Sequence, residues 1–154
     1  MKALKSTTLI LLLCCLLAAC SHGPEPILYG KDACAHCKMT IMDKRFAAEM
    51  VTAKGKVFKF DAAECMAGFL KENPAIANDA KTGFLVSDFT RPGEFADARR
   101  SFFLRDSSLS SPMGGNLAAF LSRSAAESAQ KDRSAKIYNW PSLLKQVNSE
   151  IVGR

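Results

Sequence analysis

The run Cys34-Ala35-His36-Cys37-Lys38-Met39 sets two thiols, an imidazole and a thioether within six residues. Thiolates and thioethers are soft donors of the kind that select Cu(I). Cys37 and Met39 stand at i and i+2, the spacing that turns two side chains to one face of an extended segment. On that reading a single strand grips a soft ion. Met113 lies in the run Ser111-Pro112-Met113-Gly114-Gly115. Its neighbours offer no apolar periodicity for a core role, and glycines let a backbone present a side chain at an unusual angle. The candidate metal donors are therefore Cys37, Met39, Met113, Cys34 and His36, with His36 able to face water instead.

A Cys-x-x-Cys pair has other uses. A structural zinc site needs four protein ligands, commonly from two such pairs, and a second pair is missing. Covalent haem needs histidine directly after the second cysteine, where Lys38 stands. A thioredoxin-like redox motif follows a strand and opens a helix, whereas this pair precedes a hairpin signal. A structural disulfide closing a tight loop needs no methionine nearby. Two rivals to a metal carrier stay open on the residues alone. One is a periplasmic thiol-disulfide oxidoreductase using Cys34 and Cys37; the other is a structural lipoprotein with a Cys34–Cys37 disulfide. Met42, Met50 and Met66 read as core, because methionine fills gaps in apolar packing, and Cys65 reads as a buried thiol.

The first residues read as a secretory signal. Lys2 and Lys5 precede an apolar run, Leu9 to Leu17, too short for a bilayer span. It ends in Leu17-Ala18-Ala19-Cys20, which resembles the lipobox of bacterial lipoproteins. Cleavage before Cys20 and its acylation, with palmitate among the lipids, would leave the chain on a membrane in the periplasm. Ser21 resembles the signal for the outer membrane. Of the six cysteines, Cys14 and Cys15 leave with residues 1–19 and Cys20 is lipidated. Cys34, Cys37 and Cys65 remain, an odd number in an oxidising compartment. The formal charge of +6 falls to +4 without Lys2 and Lys5. That excess is an ordinary solvated surface, and export argues against nucleic acid as a partner.

The exported part is long enough for one domain or two small lobes. Residues 20–26, with Gly23, Pro24 and Pro26, form a tether. Phe46 to Ala53 and Lys56 to Phe60 flank Lys54-Gly55 as a hairpin. Asp61 and Glu64 suggest a capping box for a helix with Cys65, Met66, Phe69 and Leu70 on one face, stopped at Asn73-Pro74. Gly83 to Phe89 and Ser101 to Arg105 predict two more strands. Asn116 predicts the cap of a second amphipathic helix through Leu117, Phe120 and Leu121. Ala125 to Ser134 continues that helix or forms a loop, and Trp140-Pro141 opens a short final helix. The expected class is α+β, as two small ββα-type lobes over 27–80 and 81–154.

The order of motifs, more than any one of them, resembles the NosL family. It runs Cys34-x-x-Cys37-x-Met39-x-Ile41, Phe60-Asp61, Cys65, Asp97-Ala98, Pro112-Met113-Gly114 and Ala119-Phe120. The resemblance spans roughly Cys34 to Phe120. It implies a periplasmic Cu(I)-binding lipoprotein of denitrification, a copper chaperone and not an enzyme. It further implies a two-lobed ββα fold, with the cysteine-methionine motif and Met113 as copper donors. The implied client is the copper-sulfide centre of nitrous-oxide reductase, reached directly or through its membrane maturation complex.

Overall fold

A computed structural model describes residues 23–151, with the side chains of 148–151 left aside. The leader and Cys20 lie outside the described residues. Two antiparallel sheets form the frame, as the α+β expectation requires. The first comprises β1 (Ala48–Val51), β2 (Val57–Phe60), β3 (Gly83–Ser87) and β4 (Phe95–Asp97), in the order β2-β1-β3-β4. The second comprises β5 (Phe102–Arg105), β6 (Leu117–Phe120) and β7 (Lys136–Asn139), in the order β6-β5-β7. The helices are α1 (Ala63–Glu72), the single turn α2 (Pro74–Ala77), α3 (Arg123–Ala129) and α4 (Trp140–Ile151). A 3-10 turn, Ala98–Arg100, joins β4 to β5.

Register explains the first core. Phe60, Ala48 and Val86 align across β2, β1 and β3, as do Phe58, Met50 and Phe84. Side chains in such a row share one face, and α1 covers it with Cys65, Met66 and Leu70. Met50 and Met66 are buried in that core as expected. The expected boundary at 80/81 does not hold as a structural one, because β3 and β4 complete the sheet that β1 and β2 begin.

In the second sheet, β5 and β6 are packed on both faces. Phe103, Leu117 and Ala119 face the first core, while Leu104, Ala118 and Phe120 face a second core closed by Ala126 of α3. This corrects the expected helix after Asn116. All four residues of β6 are buried, and a doubly buried strand is a continuous apolar run that periodicity cannot tell from a helix. Asn116 takes a left-handed φ of 53° ahead of the strand, and Ser122 caps α3 instead, accepting from Ala125 N–H at 3.1 Å. Trp140 joins the halves, its ring centroid 5.5 Å from Phe84 and 5.8 Å from Phe103.

Phe103 thus belongs to one sheet and to the other sheet's core. Phe103→Ala should cost about 3–5 kcal/mol of stability. In urea unfolding followed by Trp140 fluorescence, this should appear as a lower midpoint with an unchanged slope. A stability loss under about 1 kcal/mol would show the halves to be weakly coupled.

Candidate metal centre

The residues 33–40 form a loop closed by an Ala33–Thr40 bridge. Cys34 N–H donates to Met39 O at 2.8 Å, and Lys38 N–H to Cys34 O at 3.0 Å. Ala35 N–H reaches Lys59 O of β2 at 2.8 Å, fastening the loop to the first sheet. Lys38 sits at φ 66°, an uncommon conformation for a residue with a Cβ. Residues 35–37 turn, so Cys37 and Met39 do not share the strand face that their spacing suggested. Met39 supports the loop through its backbone, and its side chain is 53% exposed.

Asp61 is the second anchor. The expected capping box is absent: Ala62 is the N-cap of α1, and no side chain caps it. The Asp61 N–H donates to the Cys34 sulfur, and its buried carboxylate accepts the Met42 N–H. Both tasks hold the cysteine loop against the start of α1. Met42, expected in the core, is 67% exposed.

The loop and α1 together bring Cys34, Cys37 and Cys65 within 4.8 Å of one another, sulfur to sulfur. All three are free thiols. Cys34 and Cys65 are buried and Cys37 is half-buried. A metal bonded to three sulfurs at about 2.3 Å, the length of a Zn–S bond, would space them about 4 Å apart in a trigonal plane. The existing frame is near that spacing. Cys65 was the residue the sequence undervalued. Its burial on the apolar face of α1 was correct, but only the docked loop reveals what that face meets.

Electrostatics give the trio an order. The Cys65 S–H donates to the Cys34 sulfur, which also accepts N–H groups from Asp61, Cys37 and His36. These hold Cys34 well below the ordinary thiol range, toward the thiolate, despite its burial. The same hydrogen bond and burial keep Cys65 protonated. Burial pushes Cys37 up, against a hydrogen bond from Met39 N–H.

Cys65 also lines a cleft of about 200 Å³, shared with His36, Glu64, Gly68, Arg105 and Met113. Met113 therefore does come from the second sheet's loop to the trio's side, and it is 43% exposed. Glu64 fixes that loop: its Oε1 accepts from Ser111 Oγ at 2.5 Å, and a Cβ on Gly115 would lie 2.9 Å from it. His36 rests on α1, where a Cβ on Gly68 would meet Nε2 at 2.8 Å; its Nδ1 is 3.7 Å from Glu72. Cys65 is common to the thiol trio and to the cleft that His36 and Met113 line, and Met39 is not part of that lining. The three thiols can hold a soft metal ion.

A family model named NosL matches residues 27–148. The chain belongs to the NosL family. All three thiols, His36 and Met113 fall inside that match. A crystal structure of the copper chaperone NosL from Shewanella denitrificans has the same fold, with TM-score 0.64 and 22% identity over 78% of this chain and 94% of that one. No curated protein matches this sequence. The family resemblance read from the motif order is thereby established for the chain.

Gly68→Ala tests the seat of His36. The helix gains up to about 1 kcal/mol from alanine, while the methyl group displaces the imidazole. The stability change should stay within about 1 kcal/mol, and the His36 ring resonances should move in a nitrogen-15 NMR spectrum. An unmoved His36 spectrum would contradict the contact.

Proposed function

We propose that the protein is a membrane-anchored periplasmic Cu(I) chaperone. It supplies copper for the copper-sulfide centre of nitrous-oxide reductase and catalyses no reaction of its own. The observation that carries the reading is the trio of thiols joined to the Met113 cleft. Cys34 offers a ready thiolate and Cys37 stands at the surface. Cys65 connects the trio to a cleft that holds a thioether. Family membership and the fold shared with a copper chaperone support copper as the cargo. The half-open site suits transfer, in which a client ligand joins the shell before a chaperone ligand leaves. The lipobox-like Leu17-Ala18-Ala19-Cys20 and the Ser21 that follows it support acylation at Cys20 and attachment to the inner face of the outer membrane. Among the described residues no helix is long and apolar enough to cross a membrane, so the lipid would do the anchoring.

The third thiol favours one rival metal. Three cysteines with His36 make a Cys3His set, which zinc also accepts. Anaerobic titration of the reduced protein with Cu(I), repeated with zinc in competition, separates the two. X-ray absorption should show a sulfur-dominated shell around one Cu(I), and zinc should fail to displace it. A shell of nitrogen and oxygen alone, or displacement by equimolar zinc, would reject the copper reading.

Proton release gives a second test. At pH values above the lowered Cys34 value and below the ordinary thiol value of about 8.5, Cys34 is a thiolate and the other two are thiols. Binding by all three sulfurs then expels two protons. The logarithm of Cu(I) affinity should rise by about two per pH unit in that window, steepening toward three once Cys34 is protonated. A slope near zero would mean that Cys37 and Cys65 do not bind as thiolates.

A further inference from the structure

We propose that the hairpin of residues 28–42 lies against an anionic phospholipid surface, with Leu28 and Met42 as its apolar contacts. Gly30 N–H donates to Ile41 O and Ile41 N–H to Asp32 O, both at 2.9 Å, so the two arms form one unit. That unit exposes Leu28 by 55% and Met42 by 67%, the two largest exposures among the large apolar side chains described. Neither side chain lines the cleft, and the metal centre gives neither a task.

Charge and chain length identify the occupant. The carboxylates near these side chains are engaged: Asp32 by Lys59 at 2.9 Å and Asp43 by Arg45 at 2.6 Å. Lys31, Lys38 and Lys44, each within four positions of Leu28 or Met42 in sequence, are exposed, with Lys38 Nζ donating to Ala35 O and Lys44 Nζ over the Tyr29 ring. Exposed apolar side chains among ammonium groups suit the boundary of an anionic bilayer. The chain also leads there. Glu25 is pinned to the first sheet, its N–H donating to Glu49 at 2.8 Å, and Lys59 Nζ holds Pro26 O at 2.9 Å. Glu25 lies five positions after Cys20, which limits the reach from lipid to fold to about 18 Å. A lipid on Cys20 therefore keeps the hairpin within contact range of the bilayer. Of this hairpin, His36 alone lines the Met113 cleft, so contact through Leu28 and Met42 leaves the cleft's other walls reachable.

The proposal rests on acylation of Cys20, so the intact mass of the purified full-length product is measured first. A mass without acyl chains would reject the anchoring itself and, with it, this proposal. The acylated protein is then placed in nanodiscs of phosphatidylcholine with or without phosphatidylglycerol, and amide hydrogen exchange is read by mass spectrometry. Over residues 28–44, exchange should be at least about threefold slower on the anionic discs than in the acylated Leu28→Ser, Met42→Ser variant. Equal melting temperatures would show that the variant is folded. Equal exchange in an acylated, folded pair would overturn the proposal while leaving the anchoring intact. Protection that appears only after nitrous-oxide reductase is added would make the face a protein contact, and would equally overturn it.

Discussion

Cys65→Ser should lower Cu(I) affinity at least about a hundredfold, or about 2.7 kcal/mol, although the residue is outside the Cys-x-x-Cys motif. The change removes one sulfur of three, while the serine hydroxyl can still donate to the Cys34 sulfur as the Cys65 thiol does, so the loss reports the missing sulfur. Cys34→Ser and Cys37→Ser should be similarly severe, because both sulfurs belong to the trio, while Met39→Leu should be milder, because its side chain is largely exposed. Competition with a chromophoric Cu(I) chelator measures each variant. Cys65→Ser binding that matched the parent would place the ion elsewhere and reject the trio.

Deleting the gene should cause nitrous oxide to accumulate during copper-limited denitrifying growth, with the reductase short of its catalytic copper. Genes for Cys37→Ser, Cys65→Ser or Met113→Ala should fail to restore reduction. Met50→Leu should restore it, since it is a core exchange of similar volume that removes no donor of the trio. Gas chromatography of the headspace, with copper analysis of the purified reductase, reads the outcome. Complete nitrous-oxide reduction in the deletion strain without added copper would remove the client, while the metal centre would stand.

What the sequence could reveal follows from how far each signal reaches. The β1–β2 hairpin was legible because Lys54-Gly55 separates two strand-forming runs, a local pattern. Helix α1 was legible from the periodicity of Cys65, Met66, Phe69 and Leu70. Strand β6 was not, because burial on both faces erases alternation. Asp61 misled for a related reason: an acid three residues before Glu64 looks like a cap, yet its N–H and carboxylate serve a loop far upstream. The Cys-x-x-Cys motif marked two of the three clustered thiols, and Met113, singled out by its glycine setting and the family pattern, lines the cleft that Cys65 also lines. Cys65 was out of reach of local reasoning, because its role depends on a loop docking across β2 and onto α1. Met42 shows the converse, since three residues after Met39 nothing in the sequence distinguishes a buried thioether from an exposed one.

The chain contains one tryptophan, and it stands between Phe84 of one sheet and Phe103 of the other. Its emission is therefore an intrinsic gauge of whether the two sheets are docked. The thiols come from the first sheet's loop and helix, and Met113 from the second sheet's loop, so cargo held by both would tighten the junction at which this indole sits. Binding and release of such a cargo would thus become optically visible without a dye, through a residue outside the thiol trio.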